Sequence, residues 1–150
     1  MIGAIIGDIV GSKYEFNNTF DYNFELFDEG CNFTDDTICT IAVADAILRK
    51  GGNEKPNVGD YSISLQYWCQ KYLNPMGGYG ASFAKWVRSS NPQPYDSFGN
   101  GAVMRVSPVS WAFKKNTDAI RQAMMSAKVS HSHVEAMIGA AAVADCICDL

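Results

Sequence analysis

The chain has 150 residues, 47% hydrophobic and 19% charged, with a net charge of -4. That length supports one domain with its own core, and the composition is too apolar for a disordered chain. Lys and Arg are scattered rather than clustered, which argues against a nucleic-acid backbone as the main partner.

Residues 1–11 read as a helix in which Gly3, Gly7 and Gly11 recur every four residues among Ile2, Ile5, Ile6, Ile9 and Val10. Glycine lowers helicity, so packing must sustain the segment. Its only charge, Asp8, reads as a buried carboxylate that caps a neighbouring turn rather than as a metal ligand. No positive charge precedes the segment and it is too short to span a membrane, so the expected location is cytoplasmic, with no membrane partner. Residues 12–31 form a long irregular connection that contains Glu15. A connection of that length without its own structure more often carries function than serves as a linker.

Residues 34–50 are the clearest helix. Ile38, Ile41, Ala42, Asp45 and Leu48 give a mostly apolar face, and Gly51 and Gly52 end it. At its head stands Phe33-Thr34-Asp35-Asp36-Thr37. The plainer reading makes Thr34 an N-cap, with acids in a first turn that favours negative charge. Yet two adjacent carboxylates repel, and no Lys or Arg lies nearby in sequence to offset them. A hard cation with oxygen ligands resolves that repulsion.

A second amphipathic helix is expected over 58–73 and a short third over 80–88. Asn91-Pro92-Gln93-Pro94 marks a loop. Ser97-Phe98-Gly99-Asn100-Gly101 follows, then residues 102–106, with Pro108 breaking or kinking what continues. Such a glycine-rich loop can offer backbone N–H groups to a phosphate, and Phe98 can stack on a base. Taken alone, an ordinary turn explains it better. Helices are expected over 117–129 and 134–150, the latter almost wholly apolar and so in need of burial.

Ser130-His131-Ser132-His133 holds both histidines. It reads as a metal pair, or as a helix start with one histidine facing a pocket, and Ser132 with Glu135 forms a possible capping box. No third nitrogen or thiolate stands nearby for zinc. Cys31, Cys39, Cys69, Cys146 and Cys148 have no zinc-type spacing and read as reduced thiols of a cytosolic protein. No strand alternation lasts beyond four or five residues. The fold class is all-α, as a single domain over 1–150.

Joined in order, these pieces are more specific than any one alone. Gly7-Asp8-Ile9-Val10-Gly11-Ser12 leads to Glu15-Phe16, then comes Thr34-Asp35-Asp36-Thr37. Ser97-Phe98-Gly99-Asn100-Gly101-Ala102-Val103-Met104-Arg105 follows, then Ser130-His131 and His133, with Gly139-Ala140 behind. The set resembles the ADP-ribosylglycohydrolase family, which includes the dinitrogenase reductase-activating glycohydrolases. The resemblance covers essentially the whole chain. It implies an orthogonal multi-helix bundle with a pair of divalent ions, Mg²⁺ or Mn²⁺. It makes Thr34, Asp35 and Asp36 metal ligands, and Glu15, Asp35 and Asp36 catalytic. It places Ser97, Phe98, Gly99, Asn100 and Gly101 around the diphosphate, with Phe98 beside the adenine, and His131 against the ADP-ribose. The implied partner is ADP-ribose or an ADP-ribosylated protein.

One departure stands out. The family's second acidic motif, Asp-x-Asp-Ser/Thr, has no counterpart here; after His131 the only acids are Glu135, Asp145 and Asp149. The expectation is therefore a truncated form of the bundle that holds one ion weakly and associates as a homo-oligomer or with a complementing chain. Hydrolysis of ADP-ribose conjugates is the first functional expectation, and ADP-ribose binding without turnover the alternative.

Overall fold

The computed structural model describes residues 1–51 and 54–150. Gly52, expected to help stop the first long helix, lies outside the described residues. Those residues form seven α-helices and no strand: α1 (Ile2–Gly11), α2 (Asp35–Arg49), α3 (Val58–Lys71), α4 (Ala81–Arg88), α5 (Ser107–Ala112), α6 (Asn116–Lys128) and α7 (Val134–Cys148). Two 3-10 turns, Ser12–Tyr14 and Asn100–Ala102, follow α1 and precede α5. The all-α expectation is what the structure shows.

The ends of the helices follow side-chain chemistry. Asn57 caps α3 through a reciprocal box with Asp60, each accepting from the other's backbone amide. α2 begins behind Thr34 and ends at Lys50, with Gly51 at φ +61 beyond it, a conformation that favours glycine. Two expectations are corrected. Pro108 does not break a helix; it sits in the first turn of α5, where its missing N–H has no intrahelical acceptor to lose. α7 is capped by His133, whose Nδ1 accepts from the Glu135 amide at 3.2 Å, rather than by a box from Ser132.

α2 packs along α3 and α6 along α7, with α5 between α2 and the α6–α7 pair. Ala119, Ala123 and Ala127 of α6 and Ala136, Ala140 and Ala144 of α7 recur every four residues and are buried. Small side chains at that spacing let two helices approach closely. The α2 core face is Ile38, Cys39, Ala42, Val43 and Ala46, whereas Leu48, expected on that face, is exposed. α1 has no buried residue, and Val134, Ile138 and Val143 of α7 are exposed. No described helix is long and apolar enough to cross a membrane.

Candidate functional site

The head of α2 is held by α1. The Asp8 carboxylate accepts from the Thr34 amide (2.9 Å), the Thr34 hydroxyl (2.5 Å) and the Thr37 amide (3.1 Å). The Thr34 hydroxyl accepts in turn from the Asp36 amide at 3.2 Å. Thr34 is thus the N-cap, and Asp8 a second cap supplied from another helix, half-buried rather than buried. Negative charge at a helix N-terminus is favourable, so this arrangement is stable in itself.

Asp35 and Asp36 add two more carboxylates there, both half-buried. Among the described residues, no Lys, Arg or His forms an ion pair with Asp8, Glu15, Asp35 or Asp36. Burial pushes the Asp35 carboxyl up to about 7, helped by repulsion from Asp36, Glu15 and Asp8. Burial and then Asp8 and Glu15 raise Asp36 as well. Exposed Glu15 joins the cluster through a tight turn: a Cβ on Gly77 would lie 2.5 Å from Glu15 Oε2. Gly77 also has φ +78, so only glycine suits the position on both counts. Met76, next to it, bridges Thr34.

Carboxylate and hydroxyl oxygens are the donors a hard divalent cation takes. Asp35, Asp36, Glu15 and Thr34 are of the right kind for one such ion completed by water. They are too few for a closed cage: among the described residues, no three His, Cys, Asp or Glu side chains are grouped as a metal site.

A cleft of about 320 Å³ adjoins the acids. Asp35 reaches it from α2, Gly80, Ala81, Ser82 and Phe83 from the start of α4, and Ser97, Gly99, Asn100 and Gly101 from the loop; Tyr95, Met104 and His131 complete it. The N-cap of α4 is Gly80, which offers no side chain, so the first-turn amides of α4 are left uncapped at the cleft. Backbone hydrogen bonds stitch the loop to the histidine. Tyr95 N donates to Ser130 O (2.8 Å), Ser132 N to Tyr95 O (3.0 Å) and Ser97 N to Tyr95 O (2.8 Å). Gly99 N donates to Ser97 Oγ at 3.1 Å. A Cβ on Gly101 would lie 2.9 Å from His131 Nε2, so the imidazole occupies the space a side chain would need. Burial, then the Arg105 charge, lowers His131 to about 4 and keeps it neutral.

The cleft therefore gathers Asp35, Ser97, Gly99, Asn100, Gly101 and His131 from the expected set. Thr34, Asp36 and Glu15 belong to the acid cluster that meets the cleft through Asp35. Phe98 stands outside the cleft, 74% exposed, with its ring edge-on to His133 at 5.6 Å. The start of α4, Tyr95 and the Gly77 turn carry no motif, and Met104, though within the loop motif, had no role expected of it. Gly77-Gly78-Tyr79-Gly80 before an uncapped helix is the signal that marks them.

A family model for ADP-ribosylglycohydrolase matches residues 1–150. The chain belongs to the ADP-ribosylglycohydrolase family. It is 27% identical over 163 residues to ADP-ribosylhydrolase ARH3 of Homo sapiens, covering 88% of this chain and 43% of the human protein. ADP-ribosylhydrolase ARH3 of Xenopus tropicalis is 27% identical over 158 residues with the same coverage. The Mus musculus protein of that name is 26% identical over 163 residues, covering 88% of this chain and 42% of its own length. This ADP-ribosylglycohydrolase chain thus spans less than half the length of the curated relatives it matches.

Proposed function

We propose that this chain holds ADP-ribose in the cleft and hydrolyses the bond joining ADP-ribose to a modified protein side chain or a related conjugate. The observation that carries this reading is the position of Asp35, which belongs both to the cleft and to the acid cluster. A ligand lying along the cleft meets amide donors at one end and carboxylates at the other.

Each group suits a part of that ligand. The uncapped start of α4 and the amides of the loop from Ser97 to Gly101 offer N–H donors to a diphosphate, without a basic side chain. His131 adds a neutral polar group, and exposed Phe98 is free to lie against adenine. The distal ribose then sits beside Asp35. Glycoside hydrolysis builds positive charge at the anomeric carbon, and Asp35 and Asp36 place negative charge next to it. Glu15, exposed and without an ion-pair partner, is the group free to take a proton from attacking water. Mg²⁺ or Mn²⁺ held by Thr34, Asp35 and Asp36 would supply Lewis-acid orientation of water and ribose hydroxyls.

Binding of ADP-ribose without turnover is the second reading, favoured by the open acid cluster, which lacks a closed cage among the described residues. Release of ADP-ribose from a mono-ADP-ribosylated protein decides between them. Release that needs Mg²⁺ and disappears in Asp36→Ala supports hydrolysis. ADP-ribose binding with no release supports the binding module. Absence of binding at millimolar ADP-ribose overturns both.

A further inference from the structure

Arg105 is fully buried, yet among the described residues no carboxylate pairs with it. Its Nη2 donates instead to the carbonyls of Ser126 (2.6 Å) and Ala127 (3.4 Å) in the last turn of α6, and to Ser130 Oγ (3.0 Å). The carbonyl end of a helix is where a cation is favoured, which explains how the charge is tolerated there. The contact with Ser130 has a consequence one residue further along.

A guanidinium only donates, so Ser130 Oγ accepts from Arg105. Ser130 is itself fully buried, and among the described residues the one other partner of its hydroxyl is His131 Nδ1 at 2.9 Å. If Nδ1 carried the proton, the Ser130 hydrogen would be buried with no acceptor, which costs more than a hydrogen bond gains. Arg105 Nε and Nη1 are buried without a partner in either case, but the arrangement that satisfies both the Ser130 hydroxyl and Nδ1 runs one way: Arg105 donates to Ser130, and Ser130 donates to Nδ1. The imidazole proton then sits on Nε2. Nε2 is the atom that faces the loop, 2.9 Å from the Cβ position of Gly101 and 3.9 Å from that of Gly99.

We propose that Arg105 and Ser130 are positioning residues that lock His131 in its Nε2–H tautomer, so that a neutral imidazole presents one fixed hydrogen-bond donor to an acceptor oxygen of the cleft's ligand. The specificity lies in the direction of the bond. A neutral histidine with the opposite tautomer would offer the same oxygen a lone pair, and would repel it. The identity of the ligand as ADP-ribose rests on the reading above, whereas the tautomer does not.

Because Arg105 is buried, Ser130 carries the test. Nitrogen-15 spectra of histidine-labelled protein at pH 7, without ligand, distinguish a protonated ring nitrogen from a bare one, and His133→Gln assigns the two histidines. Wild type should show His131 protonated at Nε2 and bare at Nδ1. Ser130→Ala, in which Arg105 keeps its two carbonyl acceptors, should lose that pattern and bind ADP-ribose about tenfold more weakly. Ser130→Thr, which retains the hydroxyl, should restore both. A wild-type spectrum with the proton on Nδ1 overturns the lock. So does Ser130→Ala with the Nε2–H pattern intact but weakened binding, which would mark Ser130 as merely structural. If wild type shows the pattern yet ADP-ribose does not bind, the lock stands and the ligand reading falls.

Discussion

The two ends of the site differ in how far the chain satisfies its own chemistry. At the loop end the chain's own hydrogen bonds fix the loop and the histidine: Tyr95 holds Ser130 and Ser132, Ser97 holds Gly99, and Ser130 holds His131, while the first-turn amides of α4 stay uncapped. At the acid end Asp35, Asp36, Asp8 and Glu15 repel one another with no Lys, Arg or His of the described residues paired to them, and Thr37 Oγ1 is buried without a partner. The loop end keeps its shape through its own hydrogen bonds. The acid end is frustrated, and a positive ligand would relieve it. Binding should therefore change stability more at the acid end than at the loop end.

The ends should respond to pH with opposite sign. His131 has a folded value of about 4, below the ordinary histidine value of 6.5. Between those values the unfolded chain binds more protons, so stability is full above pH 6.5 and falls as pH drops toward 4. The loss is on the order of 3 kcal/mol. Because Asp35 acts with the opposite sign in the same window, the His131 effect is read as a difference: on going from pH 7 to 4 the urea midpoint of wild type should drop relative to that of His131→Asn. Equal slopes in the two proteins would remove His131 from the buried, neutral role given to it.

A cation should act on the acid end alone. Mg²⁺ or Mn²⁺ at roughly a hundred times its dissociation constant should raise stability by about 2.7 kcal/mol. The thermal shift should vanish in Asp35→Ala, Asp36→Ala and persist in His131→Asn. A shift that survives loss of both aspartates would place the ion elsewhere.

Asp35 gives the opposite pH sign. Its folded value of about 7 lies above the ordinary carboxylate value of 3.8. The folded chain binds more protons between those values, so stability present in acid is lost as pH rises through 7. In a chelator at pH 8, Asp35→Asn should therefore be more stable than wild type by about 2 kcal/mol. A less stable Asp35→Asn would show that the carboxylates are not frustrated. Phe98 is expected to have the smallest effect. Being exposed, it should leave stability unchanged when replaced by Ala, and weaken ADP-ribose by about 1 kcal/mol, seen by calorimetry.

Legibility in the sequence was also uneven between the two ends. Thr34, Asp35 and Asp36 are contiguous, and a hydroxyl before paired acids signals both an N-cap and a cation. Asp8 as a cap was readable because a lone charge in an apolar helix must find donors. The meeting of Gly101 with His131 was not readable from spacing, since it depends on the Tyr95 segment bridging His131 across 36 residues of chain; only the family resemblance joined them. Arg105 sits among Val103, Met104 and Val106 and looks like an ordinary helix position, because nothing local reveals that its acceptors lie on α6. The start of α4 is not legible because what marks it is an absent cap rather than a present side chain.

If both ends form one site joined at Asp35, the nucleotide and the ion must be coupled. Calorimetric titration of ADP-ribose into wild type and Asp36→Ala, each with and without Mg²⁺, tests it most directly. One shared site requires that Mg²⁺ tighten ADP-ribose in wild type, that ADP-ribose tighten Mg²⁺ by the same factor, and that Asp36→Ala abolish the coupling while still binding the nucleotide. ADP-ribose affinity that is identical with and without Mg²⁺ in wild type would contradict it.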